Sequence, residues 1–155
     1  MEAVFGRVET IAVADKAVSI LLIKNPAGAN EVLRTLLLEA DATGNGHGLD
    51  LWIALNDRIA DGRDVSWVWD ADFELLAGRV RHVACAGTRA AEMAVRLKYA
   101  GLPPEAITVT EAIDSSLDRA LARADGQLYA LPTYTALLEL RTMLAKRGLA
   151  RSYWA

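Results

Sequence analysis

The sequence predicts an α/β domain: a three-layer, Rossmann-like arrangement with a mostly parallel sheet and an antiparallel N-terminal edge. Three observations carry this. Strand-like and helix-like segments alternate along the chain, the pattern of right-handed βαβ units with helices covering both faces of a sheet. Residues 51–55, LWIAL, form a short run without a polar side chain, the kind buried on both faces in a parallel sheet. The first two β-rich runs, 4–13 and 17–24, are separated only by Ala14-Asp15-Lys16 and read as a hairpin or an adjacent pair of strands.

Along the chain, Asn25-Pro26-Ala27-Gly28 breaks the second run, with Pro26 near a helix start. Val32, Leu33, Leu36, Leu37 and Ala40 recur at helical spacing and predict an amphipathic helix over 30–40. Residues 41–48, DATGNGHG, are a flexible turn before the strand at 51–55. A short helix at 72–76 precedes a second buried strand at 80–86, closed by Gly87-Thr88. Ala90, Met93, Ala94, Leu97 and Ala100 define the next helix, ended by Gly101 and Pro103. A strand at 107–109, a helix at 113–124, a strand at 128–131 and a final helix at 134–146 complete the chain. No repeat, linker or low-complexity tract divides it, so the 155 residues make a single domain.

Composition excludes several function classes. Hydrophobic residues are 53%, charged residues 24% and the net charge is −3, with Lys and Arg scattered rather than clustered, so nothing resembles a nucleic-acid surface. No apolar run reaches the ~18 residues of a membrane span, and the first residues lack a signal-peptide core. The single cysteine excludes an internal disulfide and fits a reducing compartment; a cytoplasmic protein is the default expectation. No phosphate-binding G-x-x-x-x-G-K-[ST] or G-x-G-x-x-G pattern follows a strand, and GNGHG at 44–48 precedes a strand rather than a helix. His47 and His82 lack metal-ligand spacing, so no metal site is expected. Cys85, inside an apolar strand, reads as a core residue rather than a nucleophile.

Ligands of such sheets sit beyond the carboxyl ends of the strands. Four polar loops are expected there: 25–30, 56–64, 87–89 and 132–135. The second lies within a stretch, 53–74, that holds five of the chain's eleven aspartates and two of its four tryptophans. Asp57, Asp61 and Asp64 suit a hard cation, but Arg58 and Arg63 are interleaved with them and favour ion pairing. The plainer account is a solvated acidic loop in which Asp61-Gly62 forms a turn and Asp64 caps the segment after it. Trp67 and Trp69 read as anchors pinning the loop to the body or to a partner. A fixed aspartate can also orient a catalytic histidine. This chain has no credible nucleophile–histidine pair, so such a histidine would belong to another chain.

Four motifs in one order, KNPAGAN at 24–30, LND at 55–57 with ADGRDVSW at 60–67, DADFE at 70–74 and PTYT at 132–135, resemble the C-terminal domain of the MurT family. These are the Mur-ligase-like subunits of bacterial lipid II isoglutaminyl synthase. GRVE at 6–9 is similar to the segment through which Mur ligases pass from central to C-terminal domain, so residues 1–10 resemble an interdomain linker. The resemblance runs from Phe5 to about Leu144. It implies part of an enzyme that uses ATP and Mg²⁺ to amidate the D-glutamate α-carboxyl of the lipid II stem peptide at the inner membrane face. The ammonia comes from glutamine through a partner glutaminase, GatD, which the C-terminal domain docks.

By motif, the aspartate that completes the glutaminase's Cys–His pair falls on Asp64, the catalytic residue the resemblance implies. Asn25, Asn56, Asp57, Arg63, Thr88, Arg89, Thr133 and Tyr134 fall in the loops that face nucleotide or substrate in Mur ligases. The central ATPase domain is absent from this chain, so the resemblance implies no cofactor for this domain alone and no ligation by it. Two alternatives remain: a Mur-type clamp for nucleotide and substrate without a glutaminase, and a non-catalytic Rossmann-like binding module.

Overall fold

The computed structural model describes residues 8–44 and 47–149. Six strands form one sheet in the order β1-β2-β6-β3-β4-β5. These are β1 (Glu9–Val13), β2 (Lys16–Ile20), β3 (Leu49–Ala54), β4 (Val80–Ala86), β5 (Ile107–Val109) and β6 (Gln127–Pro132). The β1–β2 pair is antiparallel and every other pairing is parallel, as the sequence predicts. The hairpin turns through two residues, with Ala14 at φ 57°.

Period-two alternation assigns each strand side chain to one of two cores. Leu49, Leu51, Ile53 and Leu55 of the β3 run, with Val83 and Cys85 of β4, face helices α1 (Pro26–Ala42) and α2 (Ala90–Tyr99). Trp52, Ala54, Ala84, Ala86 and Ala130 face α3 (Ile113–Arg123) and α4 (Tyr134–Lys146). Four of those five are alanines, which leave room for helix backbones close to the sheet. Trp52 fills the remaining space, and its indole Nε1 donates to Ser116 Oγ at 2.8 Å, so the burial of its one polar atom is compensated.

Several boundaries move for identifiable reasons. The first helix begins at Pro26, not at residue 30, because Asn25 Oδ1 accepts from the Gly28 amide at 2.8 Å and caps it. It runs on to Ala42, into the expected turn. Past β2, the Leu21 and Ile23 amides still donate to Ala130 and Pro132 carbonyls, so the run continues beside β6 without a regular strand. Three 3₁₀ turns, Ile59–Asp61, Ser66–Trp69 and Pro104–Ala106, have no counterpart in the sequence reading; the one at Phe73–Leu76 lies where it places a short helix. Residues 4–7 of the first β-rich run and most of the linker-like residues 1–10 fall outside the described residues, as do two positions of the 41–48 turn.

Connectivity sets where a crevice opens. The connections β2–α1–β3 and β4–α2–β5 cross the face lined by α1 and α2, whereas β5–α3–β6 returns across the other. The chain therefore leaves β3 toward one face and β6, its neighbour, toward the other. Between their carboxyl ends lies the topological switch point where open α/β sheets form their sites.

At the opposite end of the sheet, Asp50 and His82 are register partners on the α3 side. Asp50 Oδ2 accepts from Arg81 Nη2 at 2.9 Å and from the Asp125 amide at 3.0 Å. Asp50 Oδ1 and His82 Nε2 are buried without a hydrogen-bond partner. Burial, with the nearby Arg123 charge, pushes the His82 pKa down; Asp50 opposes this. Below about pH 6.5, the ordinary histidine value, the unfolded chain takes a proton that the folded chain rejects. This contribution is full above that pH and is lost as pH falls. His82→Leu should flatten the decline in melting temperature between about pH 7 and 5.

Candidate functional site at the carboxyl end of the sheet

Side chains join across the floor of the switch-point crevice, beside an open pocket of about 400 Å³ lined by Asn56, Arg58, Thr88, Glu111 and Glu139. Asn56, two residues past the end of β3 and 1% exposed, links three strand ends. Its amide donates to Thr133 Oγ1 at 3.0 Å, Nδ2 donates to Thr135 Oγ1 at 2.9 Å, and Oδ1 accepts from the Thr88 amide at 2.9 Å. Thr133, 2% exposed, is the N-cap residue of α4, and its amide donates to Ala54 O at 3.0 Å. Gly87 allows this convergence: at φ +92° it carries the chain past Leu55 with no room for a side chain. Asn56→Ala removes the side-chain bonds to Thr135 and Thr88 and leaves the Thr88 amide without its acceptor. It should cost about 2 kcal/mol in a chemical-denaturation measurement.

The acidic loop is distributed over this latch. Asp57 Oδ1 accepts from Thr88 Oγ1 at 2.9 Å, and Oδ2 accepts from Arg89 Nη1 at 3.2 Å. The Thr88 hydroxyl and the Arg89 guanidinium hold the Asp57 carboxyl below its usual range. Arg89 also pairs with Glu92. Asp61 reaches across the switch point: Oδ1 accepts from the Thr135 amide at 2.7 Å and Oδ2 from Thr135 Oγ1 at 2.5 Å. Its carboxylate thus caps the first turn of α4, where the helix dipole favours negative charge. The expected turn comes next, with Gly62 at φ +92°.

The ion pairing expected within the loop is directed outward instead. Arg58 pairs with Glu139 on α4 at 3.3 Å, and Asp57 pairs with Arg89 from the next loop. Arg63 is exposed and pairs with no carboxylate among the described residues. Asp64 is exposed as well. In place of the expected cap it makes an Asx turn: Oδ1 accepts from the Ser66 amide at 2.9 Å, while the 3₁₀ turn Ser66–Trp69 has Val65 at its N-cap and no side-chain cap. The Ser66 hydroxyl and amide hold its carboxyl below the usual range, so it is ionised at neutral pH. Among the described residues no basic side chain pairs with it.

The residue that sequence reasoning misses is Arg96. It lies on the inner face of α2 beside Met93 and Leu97, and it is 2% exposed. Nε donates to Val68 O at 2.7 Å; Nη2 donates to Ala71 O at 2.7 Å and to Glu74 Oε1 at 2.8 Å. The guanidinium carbon sits 5.2 Å from the Trp69 ring centroid and 5.6 Å from that of Phe73. Trp69 meets Tyr99 edge to face at 5.7 Å, and Trp67 packs partly buried on the core. An arginine three residues from Met93 on an otherwise apolar stripe is the available signal.

The remaining candidates separate by role. Asn25 stands at the start of α1, with its Oδ1 committed to the cap. Tyr134 is exposed on the first turn of α4. Asn56, Asp57, Thr88, Arg89 and Thr133 join one another at the strand ends, together with Asp61 and Thr135. Cys85 is buried, and burial pushes its thiol up to about 12, so it is a protonated core residue. Among the described residues no helix is long and apolar enough to cross a membrane.

Comparison with known proteins places this geometry. The MurT ligase C-terminal family matches residues 22–137. The chain is 40% identical over 154 residues to the lipid II isoglutaminyl synthase (glutamine-hydrolyzing) subunit MurT of Streptococcus pneumoniae, covering 96% of this chain and 32% of that protein. The MurT subunit of Staphylococcus aureus strain COL is 35% identical over 144 residues, covering 90% of this chain and 30% of that protein. The chain thus spans about a third of the length of these relatives.

Among solved structures, UDP-N-acetylmuramoyl-L-alanyl-D-glutamate–2,6-diaminopimelate ligase superposes with TM-score 0.50 at 13% identity, over 82% of this chain and 26% of that one. A Yersinia pestis bifunctional folylpolyglutamate synthase/dihydrofolate synthase, complexed with AMPPNP and Mn ion, gives 0.50 at 15% identity over 87% and 30%. At these identities the likeness concerns the fold: a Mur-ligase-type C-terminal domain. The match over most of the chain decides the family. This polypeptide belongs to the MurT ligase C-terminal domains.

Proposed function

We propose that this domain serves the ligase subunit of a lipid II isoglutaminyl synthase. In this reading it docks a GatD-type glutaminase and lends Asp64 to that partner's Cys–His pair. The observation that carries the reading is an ionised, exposed carboxylate on a pinned loop, with no cation of its own chain paired to it among the described residues. Such a group is available to accept from an imidazole N–H, fixing the ring's tautomer and orientation and stabilising the imidazolium formed as the thiol loses its proton.

Among the described residues, no cluster of carboxylates or histidines is placed to hold Mg²⁺. The carboxylates of Asp57 and Asp61 are taken by Thr88, Arg89 and Thr135. ATP activation of the stem-peptide carboxyl is assigned to the rest of the ligase subunit. Released ammonia then displaces phosphate from the activated carboxyl to leave the amide.

The test is reconstitution. The ligase subunit carrying this domain, mixed with the glutaminase, should form a complex that hydrolyses glutamine. Asp64→Asn should leave the complex assembled while hydrolysis falls. Unchanged hydrolysis would reject the assignment.

A further inference from the structure

Among the described residues Asp64 bonds only to Ser66, two positions on, so its direction depends on how the backbone around it is held. Upstream, the Asp61 carboxylate ties the chain to Thr135 on α4. Downstream, the buried side chains of Val65 and Val68 set depth, but apolar contacts do not fix the rotation of a peptide plane. The guanidinium of Arg96 does. It binds the carbonyls of residues 68 and 71 and the carboxylate of residue 74, and lies against the rings of residues 69 and 73.

We propose that Arg96 is a positioning residue for the glutaminase reaction: by clamping the 68–74 backbone to α2 it holds Asp64 at the direction and height its partner imidazole requires. The inference rests on the role proposed for Asp64. Lysine cannot substitute, because an ammonium lacks the planar fork that meets two carbonyls at fixed angles while lying against aromatic rings. A displacement near 1 Å at a reacting group can cost about 100-fold, so a loosened clamp should be read in turnover rather than in assembly.

The experiment uses the full ligase subunit assembled with its glutaminase, in four forms: wild type, Arg96→Lys, Asp64→Asn and the double variant. Arg96→Lys should lower kcat for glutamine hydrolysis about tenfold with KM within about twofold, and leave ligation from added ammonia unchanged. In the Asp64→Asn background the same change should lower kcat by less than about twofold, because the group it positions is already gone.

An equal drop in both backgrounds would mean a merely structural role and overturn the inference. A normal kcat for Arg96→Lys beside a low one for Asp64→Asn would overturn it while sparing the role of Asp64. A normal kcat for Asp64→Asn would remove both. Should Arg96→Lys fail to assemble, Glu74→Ala decides, since it trims one arm of the clamp at an exposed side chain. A drop of about threefold confined to the Asp64 background is expected, and no drop overturns the inference.

Discussion

Asp64→Asn is expected to lower glutamine hydrolysis by the assembled enzyme about 10²- to 10³-fold in kcat. Losing the acid of a serine-based triad costs about 10⁴. A cysteine nucleophile should suffer less, because a few per cent is already thiolate near pH 7 and the thiolate is intrinsically reactive. Asparagine keeps the size of the side chain and the bond from Ser66, so the loop should not rearrange. What it loses is the negative charge that stabilises an imidazolium. The expected signature is a collapse in turnover with little change in glutamine KM, and ligation from added ammonia at the wild-type rate. Steady-state assays with glutamine and with ammonium as alternative nitrogen sources measure both.

Gly87→Ala should destabilise the domain by about 3–4 kcal/mol, Gly87 having the tightest surroundings of the described glycines. Two costs combine. The backbone at φ +92° lies where a side chain is strained, and an added Cβ would stand 2.5 Å from Leu55 O and 2.7 Å from Asn56 Oδ1. The first obstacle is strand backbone and cannot yield as a flexible side chain would. Relief would require β4 and β3 to part where Asn56 joins them, so the latch would be lost with the packing. Urea denaturation should show a lowered midpoint. A wild-type midpoint would mean that the strand ends are looser than these contacts indicate.

The fold is legible because its strands are chemically extreme. A fully apolar 51–55 and an apolar 83–86 have few alternatives to a covered parallel sheet, and the helices along the chain repeat every three to four residues. The 3₁₀ turns are not legible, since three or four residues carry no periodic signal. At the site, chemistry reads nearly correctly where it is local: Asp64 bonds a residue two positions away, in an Asx turn rather than a cap. Long-range chemistry does not. Asp61 caps a helix 74 residues downstream, and no feature of ADGRD announces that its carboxylate meets Thr135. Pairing of Arg58 and Asp57 inside the loop is the natural expectation, yet they find Glu139 and Arg89 instead. Arg96 escapes a reading by residue type because a cation on a helix is ordinarily solvated, whereas here two carbonyls and two rings compensate its burial.

The decisive measurement is a structure of the ligase subunit bound to its glutaminase. An Asp64 carboxylate oxygen is expected within about 2.6–3.2 Å of the ring nitrogen that faces away from the partner's thiol. An Asp64 turned toward Arg63, or separated from that ring by more than one water, would contradict it.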